Sequence, residues 1–368
     1  MTLISTTEVG QTRYTVPASI STVHVDAIGA DGGAADCGCL SPDNALPGKA
    51  ARVEGDLSVE GGSELFLSVG GVGGELNPID AGFNGGGAGA ASANGTGFGG
   101  GGGGGATDVR TIRRSDAGTL DSRLIVAAGG GGAGSDANSC LGNPSPTGGA
   151  GGDAGLAGSA SSGGTAGAGG GGGGAGAEGQ GGVGGAAGTG GQGTPDPGVT
   201  GSPGIGGAGG ASAGGGPAGG GGGGGGGLYG GGGGGGGTNA GTCPIPGGGG
   251  GGGGSSLVPL GGSASIPDPV VPATVTITAS TPLTEITHGP PRIVTTKARS
   301  KAVRVKFESP SGASAFECSV DRREYKDCIS PLERKFKLGG HLVRVRAVNL
   351  ADNADQTPAR AKFRVRRR

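Results

Sequence analysis

Six cysteines, at 37, 39, 140, 243, 318 and 328, are the side chains of this 368-residue chain best suited to covalent chemistry. They form no CxxC pair, and only three histidines (His24, His288 and His341) accompany them. Structural zinc draws on closely spaced Cys and His ligands, so metal binding is disfavoured. Cys37-Gly-Cys39 is the one spacing that could hold an ion, and disulfides in an oxidising compartment are the better use of an even set. No Ser or Cys pairs with a histidine in a recognisable nucleophile motif. Asp26 and Asp31 stand beside turn signals and are expected to be solvated. GxGxxG matches arise by chance among 101 glycines, and none runs into GK[ST] or lies in a βαβ setting. Asn94-Gly-Thr96 fits a glycosylation sequon. The expectation is a protein that is not an enzyme and that carries no cofactor or metal.

Charge supplies the other chemistry. Residues 1–287 hold 7 Lys+Arg against 20 Asp+Glu, a net of −13, and residues 288–368 hold 20 against 8, a net of +12, giving −1 in total. An acidic body thus precedes a basic end. Arg304 and Lys306, Arg344 and Arg346, and Arg364 and Arg366 each alternate with apolar residues, so all six are expected on one sheet surface, extended by the tail Arg366–Arg368. Such a surface is either a solvated outer face or a contact for an anionic partner. The candidate partners are an anionic cell-wall polymer and the chain's own acidic body. Nucleic acid ranks last, because 7 Phe, 3 Tyr and no Trp leave little for bases to stack on.

The elements that must position these groups are strands. In 21–29 (STVHVDAIG) Val23, Val25 and Ala27 face one way while His24 and Asp26 face the other. Residues 52–60 and 64–70 repeat that alternation, and 108–112 and 123–127 add two more strands. The segment 273–279 (ATVTITA) arrives too late to be a hairpin partner and closes the same sheet after an insertion. The expected architecture is mostly β: a sandwich frame over 10–128 and 255–280, interrupted by about 129–254. In that insertion 67 of 126 residues are glycine. The longest runs, 219–227, 230–237 and 247–254, would each span roughly 25 Å as extended helices of the polyproline II type. Such helices form no internal hydrogen bonds, so packing side by side is what supplies partners. Segments such as 138–147 (NSCLGNPSPT), 194–203 (TPDPGVTGSP) and 238–246 (TNAGTCPIP) interrupt the runs with turn chemistry, and three loops carry Cys37 and Cys39, Cys140, and Cys243. Those loops are expected to meet at one pole of the bundle.

The ordered set YTVP (14–17), FNGGG (83–87), GGGGGATDVR (101–110), RLIVAAGGGG (123–132), GGGLYGGGGGG (225–235) and GGGGGSS (250–256) resembles the glycine-rich domain of the anaplastic lymphoma kinase ectodomain and its bacterial relatives. The likeness covers about residues 10–280. It implies a tumour-necrosis-factor-like β-sandwich carrying a bundle of packed polyglycine helices, in an extracellular setting. No HRD or DFG triplet occurs, so neither kinase activity nor cytokine binding carries over.

Beyond a linker at 281–291 (TPLTEITHGPP), alternation around Val303, Val305 and Phe307, around Val343 and Val345, and around Phe363 and Val365 suggests a second, immunoglobulin-like sandwich over 292–368. Residues 316–332 (FECSVDRREYKDCISPL) are similar to bacterial immunoglobulin-like repeats of secreted actinobacterial proteins. Those repeats usually have glycine where this chain has Arg322 and Arg323. The resemblance implies a Cys318–Cys328 bridge, and closing so short a loop contributes about 2–3 kcal/mol.

No apolar run reaches the roughly 18 residues of a membrane helix, and residues 1–16 show no signal-peptide pattern. The functional expectation is a secreted or cell-surface structural and adhesive protein whose partner is a surface receptor, a glycan or an anionic cell-wall polymer. The alternative is a specific ligand-binding ectodomain-like module or a phage tail-tip receptor-binding adhesin.

Overall fold

The computed structural model describes residues 2–368 except 19, 36–44, 75–79, 92–98, 137–146, 162–171, 178, 214–217, 239–245, 280–281, 311–312, 314 and 349–353. Among the described residues the chain is all-β, with no helix.

Nine strands form in the first region, several of them with alternating apolar residues: β1 (Thr2–Thr6), β2 (Gly10–Thr15), β3 (Thr22–Ile28), β4 (Arg52–Ser58), β5 (Glu64–Val69), β6 (Thr107–Arg110), β7 (Arg123–Ala127), β8 (Ser263–Ser265) and β9 (Thr274–Ala279). They form two antiparallel sheets, ordered β1-β9-β3-β4-β8 and β2-β5-β6-β7. Val23, Val25, Val53, Val275 and Ile277 from the first sheet join Leu65, Leu67, Val69, Val109 and Ile125 from the second in one hydrophobic core. β9 returns after the glycine insertion and pairs with β3 from Val23↔Ala279 to Ile28↔Thr274. β1 lies outside the expected frame, which begins at residue 10. It is recruited because Thr2–Thr6 pairs with β9 while Leu3 and Ile4 pack against the core.

The later strands are β10 (Glu285–His288), β11 (Ile293–Thr296), β12 (Ser300–Glu308), β13 (Ala315–Val320), β14 (Lys326–Cys328), β15 (Leu332–Lys337), β16 (Gly339–Val348) and β17 (Ala359–Arg367). One sheet runs β10-β12-β15 and the other β11-β17-β16-β13-β14, with β11 parallel to β17. Val303, Val305, Phe307 and Phe336 of the first sheet meet Val320, Val343, Val345, Phe363 and Val365 of the second in a separate core. A disulfide joins Cys318 on β13 to Cys328 on β14, with Cα atoms 5.8 Å apart. β10 falls inside the stretch expected to be a linker. Glu285 pairs with Glu308 and His288 with Lys306, Ile286 packs on the core, and the Ala347 N–H donates to Thr284 Oγ1 at 2.7 Å. One apolar side chain and one hydroxyl suffice to fix that segment to the sheets.

The glycine insertion is organised by its backbone. Run 219–227 is buried throughout. Its N–H groups point outward in rotation with a period of three residues. Gly222 and Gly225 donate to Gly249 O and Gly252 O at 2.9 and 2.8 Å, Gly223 and Gly226 to Gly101 O and Gly104 O at 2.9 and 2.8 Å, and Gly221 and Gly224 to Gly210 O and Gly207 O at 3.0 and 2.8 Å. Its carbonyls follow the same rotation and accept from Gly234, Gly132 and Gly87, each at 2.8 Å. Six neighbouring segments thus surround one run, three as acceptors and three as donors. A Cβ added at Gly222, Gly223 or Gly224 would lie 2.1–2.2 Å from a carbonyl oxygen of a neighbouring run. Glycine fills this run because the spacing of its neighbours leaves no room for a Cβ at these positions.

Candidate anion-binding face and a buried arginine junction

Two clusters of charged side chains stand out, one sealed inside the first region and one open on the last. The sealed cluster grows from the ends of β6 and β7, where strand gives way to glycine run. Arg110 is 1% exposed and Asp108 equally so. Arg110 grips Asp108 with two donors, Nε at 2.7 Å and Nη2 closer still, and donates from Nη1 to Thr119 Oγ1 at 2.9 Å. Asn84, in the left-handed region at φ 67°, donates to Ala106 O at 2.7 Å and to Asp108 Oδ2 at 2.8 Å, and it accepts from Arg110 at 3.2 Å. Arg123 donates to Gly227 O at 2.8 Å, Leu228 O at 3.2 Å and Leu120 O at 2.9 Å. Burial lowers the Arg123 pKa.

The Arg123 contacts tie the end of the central run to β7, placing a charged donor on the carbonyls at its turn. The motifs FNGGG, ATDVR, RLIV and GLYG therefore converge on one junction. Its polar groups are engaged with one another and with main-chain carbonyls, which is positioning chemistry.

The open cluster differs from expectation. Arg304 and Lys306 lie on β12, whereas Arg344, Arg346, Arg364 and Arg366 lie on β16 and β17 of the other sheet. Their inward neighbours meet in the core between the sheets, so the two sets point to opposite sides and the six do not share a face. Alternation reveals whether a residue points in or out but not which sheet it joins. Arg304 pairs with Glu333 at 3.3 Å, both well exposed. Arg346 is held by Glu317 at 2.5 Å and lies over the Tyr325 ring at 4.1 Å.

Sequence reasoning missed three cations, Arg292, Arg360 and Lys362, that join Arg322 in completing the second set. Arg360 and Lys362 continue the row of Arg364 and Arg366 along β17, a signal present in the same alternation. Arg292 and Arg322 lie outside the strands and carry no periodic signal. Arg292, Arg322, Arg360, Lys362 and Arg364 line one open concavity of about 1180 Å³. Arg344 stands directly opposite Arg360 across the β16–β17 ladder, and facing like charges weaken a sheet.

Asp321, the acid of this concavity, is already engaged. Its Oδ1 accepts the Leu342 N–H at 3.0 Å and its Oδ2 meets His341 Nδ1 at 2.9 Å, while His341 Nε2 lies 2.8 Å from Lys337 O. Both ring nitrogens face acceptors, which favours the imidazolium. Burial opposes the charge on His341, yet the bonds to Lys337 and Asp321 outweigh it and raise the pKa. Burial likewise opposes the Asp321 carboxylate, and the bonds from His341 and Leu342 together with the charges of His341 and Arg323 outweigh it and lower the pKa. Asp321 and Arg322 both adopt positive φ, 55° and 64°. A non-glycine residue there is strained, and such strain persists only where its surroundings enforce it.

Cys37, Cys39, Cys140 and Cys243 lie outside the described residues, as does Asn94. The described chain beside them comes together: the Ala133 N–H donates to Gly33 O at 3.1 Å and the Gly248 N–H to Ser135 O at 3.0 Å. Asp26 is clamped by Arg52 at 2.8 and 2.9 Å. Asp31 departs from the expected solvated state: it accepts the Ala50 N–H at 2.6 Å, and burial raises its pKa. Among the described residues no His, Cys, Asp and Glu cluster is suited to a metal, and no helix is long and apolar enough to cross a membrane. No protein-family model matches the chain, and no curated protein matches it.

Proposed function

We propose that this chain is a non-enzymatic, secreted or cell-surface structural and adhesive protein. In this reading a tumour-necrosis-factor-like β-sandwich carries a bundle of polyglycine helices as a rigid scaffold. An immunoglobulin-like unit over 292–368 provides a basic anchoring surface. The observation that carries the reading is the period-three hydrogen bonding of run 219–227 to six neighbours. Three residues per turn is the repeat of a polyproline II helix, and a lattice with no space for a Cβ has little freedom to deform. The Cys318–Cys328 bridge fits an oxidising, extracellular setting.

Protease shaving of intact host cells producing the whole gene product tests this. Release of peptides from 292–368, with cytosolic markers untouched, is the expected outcome. Recovery of the chain only from the cytosol, with Cys318 and Cys328 as free thiols, would overturn it.

A second reading, a ligand-binding ectodomain-like module or tail-tip adhesin, draws on the meeting of the chain stretches that flank the cysteine segments. It requires target-cell binding that survives removal of the C-terminal cations, whereas the anchoring role requires that binding to fall.

A further inference from the structure

The outward row of β17 is a ruler of positive charge. Alternate residues of a strand stand about 6.8 Å apart, so Arg360, Lys362, Arg364 and Arg366 span roughly 20 Å on one face. All four are exposed and, among the described residues, none takes part in an ion pair. At the concavity Arg292 and Arg322 stand beside the same row.

Two features of this surface cost stability and are nonetheless present. Arg344 opposes Arg360 across the ladder, and Arg322 sits at φ 64°. Violations of local rules gathered at one place mark a surface kept for what it binds. The Asp321–His341 pair holds the turn that presents Arg322 and neutralises the acid there.

We infer that this strip binds a linear polyol-phosphate polymer, with successive phosphodiesters facing successive cations of β17 and Arg292 and Arg322 flanking the polymer at the concavity. The partner follows from chemistry. A guanidinium presents a planar fork that matches phosphate oxygens, and a row of them suits a repeating anion better than a single small one. A polymer with one phosphate for each three-carbon polyol repeats its charge on the same scale as alternate strand residues. Nucleic acid would need exposed rings for its bases, but Phe363 is buried in the core and Tyr325 is covered by Arg346. The inference rests on the anchoring role proposed above and names its partner.

The test uses the full chain and delipidated poly(glycerol phosphate), with affinity measured by calorimetry from about 50 to 200 mM salt. Five to six phosphate contacts give a slope of log K against log salt near −4, at about −0.7 per contact on a flexible strand. Replacing Arg360, Arg364 and Arg366 together by Gln is expected to weaken binding at least tenfold and to flatten the slope by about 2. The same residues changed to Lys should keep most of the slope. Arg304→Gln with Lys306→Gln, on the opposite sheet, should leave binding unchanged. Arg322→Gly should raise the melting temperature, since glycine accepts the positive φ, while weakening binding several-fold.

Wild-type affinity in the triple Gln variant overturns the proposal, as does equal loss in the Arg304/Lys306 variant. Equally tight binding of an oligothymidylate with the same number of phosphates overturns the assignment to polyol phosphate. A chain that is shaved from cells yet binds no polymer, because its own acidic residues occupy the strip or for any other reason, overturns this inference alone. A cytosolic chain overturns the adhesive reading whatever the polymer does.

Discussion

The glycine region and the final two-sheet region solve opposite problems with the same extended backbone. Around run 219–227 main-chain atoms make most of the contacts, and at Gly220 to Gly225 a side chain is excluded by a carbonyl about 2 Å from the absent Cβ. In 288–368 the backbone pairs within sheets, and alternating side chains fill a core on one face and carry charge on the other. The first design leaves no room for a side chain where a run is enclosed on all sides. The second tolerates outward substitutions freely, which is how +12 charges can collect on so few residues.

The sharpest way to break that contrast is a single methyl-bearing residue in each region. Gly223→Val places a Cβ 2.1 Å from Gly87 O and is expected to cost about 5 kcal/mol or more, an exceptional value for one residue. Gly340→Ala on β16 meets nothing within 4 Å and should stay within about 0.5 kcal/mol. Thermal melts of the two variants decide the matter, and equal effects would erase the distinction. Amide exchange sharpens it further: residues 219–227 should be protected as strongly as β3, although they belong to no sheet.

Next in size is the junction that connects side-chain and main-chain packing. Arg110→Leu leaves Asp108 buried without its cation and should cost about 3–5 kcal/mol, read from denaturant unfolding. Replacing Cys318 and Cys328 by Ala should cost about 2–3 kcal/mol, and the loss should fall on the unfolding of 288–368 while exchange protection in 219–227 is unchanged.

The smallest effect is pH-dependent. His341 has a raised pKa in the folded state, so its contribution is complete below the unfolded value near 6.5 and is lost as pH rises through the folded one. Asp321 has a lowered pKa, so its contribution is present above the unfolded value near 3.9 and is lost as pH falls through the folded one. The final region should therefore melt highest between about pH 4 and 6.5 and a few degrees lower at pH 8. His341→Gln should flatten the upper limb, and an unchanged limb would assign the dependence to other groups.

Much of this was legible in the residues. Alternation at 21–29, 64–70 and 273–279 marked strands that do form, and equal glycine runs pointed to mutual packing. What stayed hidden depends on partners distant in sequence. Nothing in TLIST announces that it will pair with residues 275–278, and EITH reads as a linker until Lys306 and Glu308 stand beside it. The same limit split the basic set, because Arg304 and Arg344 share a pattern but not a sheet. Asn84, Asp108 and Arg110 were visible as pieces of motifs, while their joint role needed the fold to bring them within hydrogen-bonding distance.

Because donors along run 219–227 return to the same neighbour every third residue, the lattice counts length in threes. Adding or losing one or two glycines leaves each slot of the run filled by glycine but turns the chain that leaves it, Leu228 and Tyr229, by one or two thirds of a turn. Adding or losing three slides the run by one repeat and restores each pairing. Only a change of whole turns keeps the direction in which the chain leaves the run.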